Sequence, residues 1–164
     1  MSCLGVHFAL TPQQEQRLLA AERDEAVHEV IEQIEEEEWD AEYVQESDKS
    51  WDAMHRVLAD GTLEPGGGEY PLNRTVLGGR ELYKGIDYIV CYVPAEEVKD
   101  VARALLDVTE EWFRERYWCI SHCDYDGHLS DEDLEYTWGW FGDVREFYQR
   151  ATAANRAVIF TADQ

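Results

Sequence analysis

The chain has 164 residues and carries 36 Asp and Glu against 14 Lys and Arg, which gives a formal net charge of −22. This excess of negative charge repels nucleic acids and anionic membranes and attracts basic proteins and cations. Hydrophobic residues make up 45% of the chain, enough for the core of one domain over residues 1–164, and no apolar run reaches the roughly 20 residues that span a bilayer.

The first 60 residues are predicted to form one strand and three helices. Residues 4–10 are typical of a strand, and Thr11 followed by Pro12 is typical of a helix start. A second helix begins near Asp24, because apolar residues recur from there at helical spacing. Residues 51–58 are predicted to form a short amphipathic helix with Trp51 turned inward.

The rest of the chain predicts a loop over residues 60–70, a short helix over 71–77 closed by two glycines, and a strand over 86–93. Helices follow over 94–106 and 109–118, and Ser130 is placed to cap a long helix, with Asp133 at capping-box spacing. Residues 157–161 form a final strand. The elements predict an α+β fold: a small mixed sheet covered by several helices, with a long C-terminal helix followed by a final strand.

Ordered segments along nearly the whole chain resemble the YfbM-like family of bacterial proteins, a domain of unknown function. They are Met1-Ser2-Cys3, Trp51-Asp52-x-x-His55-x-x-Leu58, Gly61-Thr62, Pro71-Leu72-x-x-x-Val76-Leu77-Gly78-Gly79, Val93-Pro94-x-Glu96-Glu97-Val98, Phe141-x-x-Val144-x-x-Phe147-Tyr148-x-x-Ala151 and Ala157-Val158-Ile159-Phe160. The resemblance implies a single compact α+β domain and no established activity, so it assigns no catalytic residue. The chain departs from the family pattern in residues 22–48 and 119–133.

Residues 22–48 contain thirteen acids and one base, Arg23. We interpret this stretch as a docking face for a basic protein. One protein class with this charge is an inhibitor or immunity protein, because its acidic surface complements that of a basic nuclease toxin. The residues of the predicted face are Glu25, Glu29, Glu32, Glu35, Glu36, Glu37, Glu38, Asp40 and Glu42. The alternatives are a solvated acidic face that packing tolerates, and adaptation of the whole chain to its environment.

A second hypothesis is a small-molecule or catalytic site around Asp52, His55, Tyr70 and Arg74. Asp52 and His55 lie three residues apart on one predicted helical face, a spacing that suits an acid–base couple. The alternative is a partly buried His55 that hydrogen-bonds the Gly61-Thr62 loop. No serine has the surroundings of a nucleophile, so the sequence favours a protein that is not an enzyme.

A third hypothesis is a divalent-metal site in residues 119–133. Asp124, Asp126, Gly127 and Ser130 match positions of a calcium-binding EF-hand loop, although His122 replaces the first acid and Asp133 the last Glu. For zinc, the candidate ligands are Cys119, Cys123 and His128, and a distant residue such as Cys91 would have to complete the set. The alternative is an Asp- and Gly-rich turn before a Ser-capped helix.

The remaining motifs predict no cofactor, and the oligomeric state stays open. Three consecutive glycines start at Gly66, but no Lys-Ser or Lys-Thr follows them as a phosphate loop requires. The N-terminus has no basic segment followed by an apolar one, as a signal peptide has, so we expect a cytoplasmic protein with reduced cysteines.

Overall fold

Five strands form one sheet in the computed structural model, which describes residues 3–164. In chain order they are Gly5–Ala9 (β1), Val44–Asp48 (β2), Arg80–Glu81 (β3), Tyr88–Val93 (β4) and Val158–Asp163 (β5). Their spatial order is β2-β1-β5-β4-β3, and all four pairings are antiparallel. The strands from the two ends of the chain therefore lie side by side at the centre of the sheet.

In the described part of the chain, six helices cover the two faces of this sheet. They are Pro12–Ala20 (α1), Asp24–Glu36 (α2), Trp51–Leu58 (α3), Ala95–Leu106 (α4), Glu110–Tyr117 (α5) and Asp131–Ala153 (α6). Short 3₁₀ turns cover Ala41–Tyr43 and Leu72–Arg74. Within residues 3–164, no helix has the length and apolarity needed to cross a membrane.

Successive side chains of a strand point to opposite faces of the sheet. Helices cover both faces, so both sets of side chains are buried. On one side, Phe8 and Ile159 pack with Leu18 of α1 and Ile31 of α2. On the other side, residues such as Phe160 pack against α3 to α6 in a larger cluster. The resulting order of layers is helices, sheet, helices, and α2 rests on the sheet with its other side facing solvent.

The predicted fold class is confirmed, and so are the long C-terminal helix and the final strand after it. The direction of the strands is corrected, because the predicted mixed sheet is antiparallel throughout. Val93, the last residue of β4, lies opposite Val158, the first residue of β5. The three helices between these strands thus return the chain to the end of the sheet that it left, which makes the pairing antiparallel.

Local capping determines where two of the helices begin. Thr11 and Gln14 form both hydrogen bonds of a capping box at the start of α1. Ser130 accepts a hydrogen bond from the Asp133 N–H at 3.1 Å, so α6 begins as predicted. The Asp133 carboxylate does not bond back to the Ser130 N–H, which instead donates to the Tyr117 hydroxyl at 3.2 Å. The predicted capping box of α6 is therefore half formed.

Between residues 40 and 80, the structure differs from the prediction in two places. Strand β2 has the sequence VQESD and was not predicted; it pairs with β1, and the buried Ser47 hydroxyl donates to the Gly5 carbonyl at 3.2 Å. Residues 71–77 contain a single 3₁₀ turn in place of the predicted helix. A Cβ on Gly78 would lie 1.8 Å from the Asn73 carbonyl oxygen, so close backbone packing explains this glycine. Of the family segment Met1-Ser2-Cys3, Met1 and Ser2 lie outside the described residues.

Candidate functional site

The outer face of α2 is acidic and open to solvent. Val27, Ile31 and Ile34 are buried against the sheet, and the acids between them point away from it. The acids of α2 and its C-terminal end that are exposed are Glu25, Glu29, Glu32, Glu36 and Glu37. The last turn of α2 has no basic residue, although the helix dipole favours cations there.

Three of the nine predicted face residues bond groups outside α2, two of them through the carboxylate and one through its backbone carbonyl. Glu38 accepts hydrogen bonds from Arg17 at 2.6 and 2.8 Å and from Gln14 at 2.8 Å, and these bonds lower the pKa of its carboxyl. Asp40 caps the following 3₁₀ turn by accepting from the Glu42 N–H. The Glu42 carbonyl accepts from Arg150 at 3.0 Å. The carboxylates of Glu38 and Asp40 are therefore less available to a partner, whereas these bonds leave the Glu42 carboxylate unengaged.

A groove of about 310 Å³ lies between α2 and the ends of β1, β4 and β5, and we call it the α2 groove. Its lining includes Glu32, Glu35 and Glu36 from α2 and Asp163 from β5. Among its described lining residues none is Lys or Arg, and the nearest basic group is His28, whose Nδ1 lies 3.4 Å from Glu32. The predicted acidic face thus includes a concave part.

Glu35 is the least solvated acid of the α2 groove. Burial is the largest cause that raises the pKa of its carboxyl, and the negative charge of Asp163 is the second. Glu32 and Glu36 raise this pKa further, whereas His28 lowers it. The groove therefore holds negative charges that disfavour one another in the free protein.

Asp52 and His55 do not pair with each other, although both lie on α3. The Arg56 Nε donates to Asp52 Oδ1 at 2.6 Å, four residues along the helix. His55 is 1% exposed; its Nε2 lies 3.1 Å from the Glu64 carbonyl, and its Nδ1 accepts from the Leu77 N–H at 3.4 Å. These contacts require a neutral ring, and burial lowers the pKa of His55 accordingly. His55 therefore supports the 60–70 loop through Glu64. This role is similar to the sequence-based alternative, in which His55 bonds the same loop at Gly61.

Tyr70 and Arg74 lie on the surface beside α4 and not in a cleft with His55. The Tyr70 hydroxyl donates to Asp100 Oδ2 at 2.6 Å, and this hydrogen bond raises the pKa of Tyr70 to about 12. The Arg74 guanidinium lies 5.8 Å from the centre of the Tyr70 ring, and its Nε is 3.5 Å from Glu97. The pair therefore ties the 60–70 loop to α4.

The predicted metal ligands of residues 119–133 are not brought together. The Tyr117 and Tyr125 hydroxyls both donate to Asp133 Oδ2, at 2.6 and 3.0 Å. The other candidate ligands in this loop, except the capping Ser130, are exposed: Asp124, Asp126, Cys119, Cys123 and His128. Cys91 is buried in β4, where its thiol donates to the Leu77 carbonyl. In residues 3–164, no group of three or more His, Cys, Asp or Glu side chains could hold a metal ion.

A larger groove of about 590 Å³ lies where α3, the 121–129 loop and the start of α6 meet, and we call it the α3–α6 groove. Four residues named in the sequence hypotheses line it: Asp52, Asp126, Gly127 and Asp133. The other lining residues belong to no candidate site predicted from the sequence; they are Cys3, Lys49, Trp51, Leu63, Tyr125, Tyr136 and Gln164. The lining residues come from six separate segments, so only the folded chain brings them together.

Comparison with known proteins gives a family and a fold but no activity. Residues 1–161 match the family DUF1877, which is described as a domain of unknown function. A crystal structure of a protein of unknown function, YfbM from Escherichia coli, superposes with a TM-score of 0.71 at 15% sequence identity. The match covers 97% of this chain and 99% of that one, and at this identity it shows a shared fold. No curated protein matches the chain.

Proposed function

The chain belongs to the DUF1877 family, whose function is unknown, and from that premise we propose that it is a non-enzymatic binding module whose acidic α2 face docks a basic protein. The resemblance to YfbM-like proteins seen in the sequence is confirmed by the family match and the shared fold. Neither comparison assigns a partner, so the proposal depends on the surface chemistry of this chain.

The observation that supports this proposal best is the environment of Glu35. A half-buried carboxylate beside Asp163, Glu32 and Glu36 is disfavoured in its charged form, as its raised pKa indicates. An incoming Lys or Arg side chain would relieve this repulsion and would gain charge-assisted hydrogen bonds in the groove. Docking of a cation thus removes an unfavourable repulsion that exists in the free protein. On an ordinary solvated acidic face the carboxylates repel one another less, so docking there would bring less relief.

The surroundings of the α2 groove suit a protein partner. Exposed Glu25 and Glu29 extend the negative charge along α2, and complementary charge accelerates association with a basic surface. Trp39, just beyond the end of the helix, is 48% exposed and contacts Phe8 edge-on. Exposed aromatic residues are frequent anchors in interfaces. A cytoplasmic inhibitor or immunity protein acting on a basic nuclease toxin is the form of this function that we favour.

The test compares two triple variants that lose the same charge. Glu32→Gln/Glu35→Gln/Glu36→Gln alters the α2 groove, and Glu111→Gln/Glu115→Gln/Glu146→Gln alters exposed acids on α5 and α6. Wild type and both variants are used at low salt to capture proteins from a lysate of the native host. We expect a basic protein that binds wild type and the α5/α6 variant and is lost with the α2 variant.

The two variants have equal net charge, so they separate a specific face from general attraction. Equal loss with both variants would mean that total charge and not the α2 groove governs binding. Retention of every captured protein by the α2 variant would refute the proposal. Circular dichroism and urea unfolding of each variant establish that the folds are intact before the capture experiments are compared.

A further inference from the structure

The α3–α6 groove lies apart from the α2 face and has the dimensions of a ligand site. Its volume of about 590 Å³ falls within the roughly 300–1,000 Å³ typical of pockets that bind small molecules. Two rigid helices, α3 and α6, supply Trp51, Asp52, Asp133 and Tyr136. Sites built on helices hold their side chains more precisely than sites built on loops.

Its walls are aromatic and apolar. The Trp51 indole N–H donates to the Cys3 carbonyl at 2.9 Å, which fixes the orientation of the ring. The Tyr136 hydroxyl donates to Asp48 Oδ2 at 2.6 Å, and the Tyr125 hydroxyl donates to Asp133. Because their polar groups are engaged, the aromatic rings contribute mainly apolar surface to the groove, and Leu63 adds to it. The Arg56 guanidinium lies 5.7 Å from the centre of the Tyr125 ring, so the Tyr136 ring is the better π surface for a further cation.

Three carboxylates face this aromatic surface. Both tyrosine hydroxyls bonded to Asp133 use its Oδ2, so Oδ1 is free of these donors. Arg56 uses Oδ1 of Asp52, and burial together with the negative charge of Asp126 raises the pKa of Asp52 despite this pair. Asp126 is exposed at the rim. Among the described lining residues, Lys49 supplies the single Lys or Arg charge, so the groove keeps an excess of negative charge.

We propose that the α3–α6 groove binds a small organic cation, an ammonium or guanidinium group attached to an apolar body. The aromatic and apolar walls receive the body, and the Tyr136 ring attracts the cationic group through its π face. The Asp126 carboxylate receives the charge, Asp52 adds to the negative field although Arg56 uses its Oδ1, and the Oδ1 of Asp133 can accept one hydrogen bond from the cation. This site is independent of the proposed α2 docking face.

The experiment titrates the full chain with three compounds that differ mainly in charge: tyramine, 4-ethylphenol and 4-hydroxyphenylacetate. Agmatine serves as a guanidinium probe. Two-dimensional NMR follows the indole N–H signal of Trp51 and the amide signal of Gly127, because both residues line the groove. We expect saturable shifts with at least one cation at a Kd of about 1 mM or below, and affinity for 4-ethylphenol at least about tenfold weaker than for tyramine.

Two aspartate variants with the same charge change test the location of the site. Asp126→Asn removes an exposed carboxylate at the rim, and Asp143→Asn removes an exposed one further along α6. We expect Asp126→Asn to weaken binding of the cation by about three- to fivefold and Asp143→Asn to leave it unchanged within about 1.5-fold.

Three results would each overturn the proposal. The first is that neither tyramine nor agmatine produces a saturable shift at the groove signals. The second is that 4-ethylphenol or 4-hydroxyphenylacetate binds as tightly as tyramine, which would mean that the charge has no role. The third is equal binding by wild type and Asp126→Asn, or shifts confined to signals outside the groove.

Discussion

Two glutamates three residues apart should respond in opposite directions when their charge is removed. Glu35 lies in the α2 groove among other acids, and its pKa is raised. Glu38 is bonded to Arg17 and Gln14, and its pKa is lowered. Glu35→Gln should therefore stabilise the free protein, and Glu38→Gln should destabilise it, although both substitutions change the net charge by the same amount.

The expected magnitudes follow from the surroundings of each residue. Glu35→Gln removes a like-charge pair with Glu32, and such pairs cost about 0.2–0.5 kcal/mol. It also removes an anion from the C-terminal end of α2, where the helix dipole disfavours it by about 0.3–1 kcal/mol. We expect Glu35→Gln to raise the free energy of unfolding by about 0.5–1.5 kcal/mol, which corresponds to a Tm higher by about 2–5 °C. Glu38→Gln loses a surface ion pair and should cost about 0.5–1 kcal/mol.

Urea unfolding at pH 7 in low salt is the appropriate assay. A carboxyl whose pKa is higher in the folded state binds protons more readily when folded, so it destabilises the fold as the pH rises through that pKa. The gain from Glu35→Gln is therefore full at pH 7 and disappears well below the ordinary Glu pKa of 4.5. The effect of Glu38→Gln follows the opposite sign and also fades in acid, because the bonded carboxylate becomes protonated in both states.

Salt should reduce the effects of both substitutions, because the Debye length falls from about 10 Å at 0.1 M to about 3 Å at 1 M. If Glu35→Gln and Glu38→Gln stabilised the protein equally, total charge would explain the result and the local account would be refuted. A Glu35→Gln variant no more stable than wild type in low salt would show that the α2 groove carries no repulsion for a partner to relieve.

Three further predictions concern buried contacts. Asp133→Asn should destabilise the protein by about 1–3 kcal/mol. Because Asp133 and Tyr125 share a hydrogen bond, a double-mutant cycle with Tyr125→Phe, measured by urea unfolding, should give a coupling energy of at least about 0.5 kcal/mol. Additive effects would contradict this contact. Gly78→Ala should lower the Tm by several degrees, because its Cβ would overlap the Asn73 carbonyl; an unchanged Tm would be incompatible with that packing. His7 is fully buried, and burial lowers its pKa to about 4. Because the unfolded imidazole gains a proton between pH 7.5 and 5, His7 should lower the free energy of unfolding of wild type by about 2 kcal/mol over this range, and His7→Gln should show a smaller decrease. Equal decreases would argue against a buried neutral ring.

The helices were the part of the fold that the sequence predicted best. Thr11 and Ser130 mark helix starts with side chains that bond backbone N–H groups locally, so the signal lies within a few residues. Strand β2 was missed because its polar residues carry no alternating pattern, and its pairing with β1 depends on residues about 40 positions away. Strand direction was missed for the same reason, since no local feature specifies which end of the sheet the chain returns to.

The candidate sites were harder to predict, because side-chain partners depend on competition between neighbours. The spacing of Asp52 and His55 allowed a pair, but Arg56 lies four residues from Asp52 on the same face and carries a permanent charge. The EF-hand-like spacing around Asp133 was real, but two tyrosines, one from α5 and one from the loop, use its carboxylate. The acidic face of α2 was anticipated, because charge runs can be read from the sequence, but its concave part also needs Asp163 from the last strand.

The most direct test of the α2 docking face is the affinity of the captured basic protein as a function of salt. Isothermal titration calorimetry would compare wild type, Glu32→Gln/Glu35→Gln/Glu36→Gln and the charge-matched Glu111→Gln/Glu115→Gln/Glu146→Gln. In low salt, the account predicts at least about a tenfold loss of affinity for the α2 variant and less than about a twofold loss for the α5/α6 variant. The difference in affinity between wild type and the α2 variant should become smaller as salt rises. Equal losses for the two variants, or no loss for the α2 variant, would contradict the account.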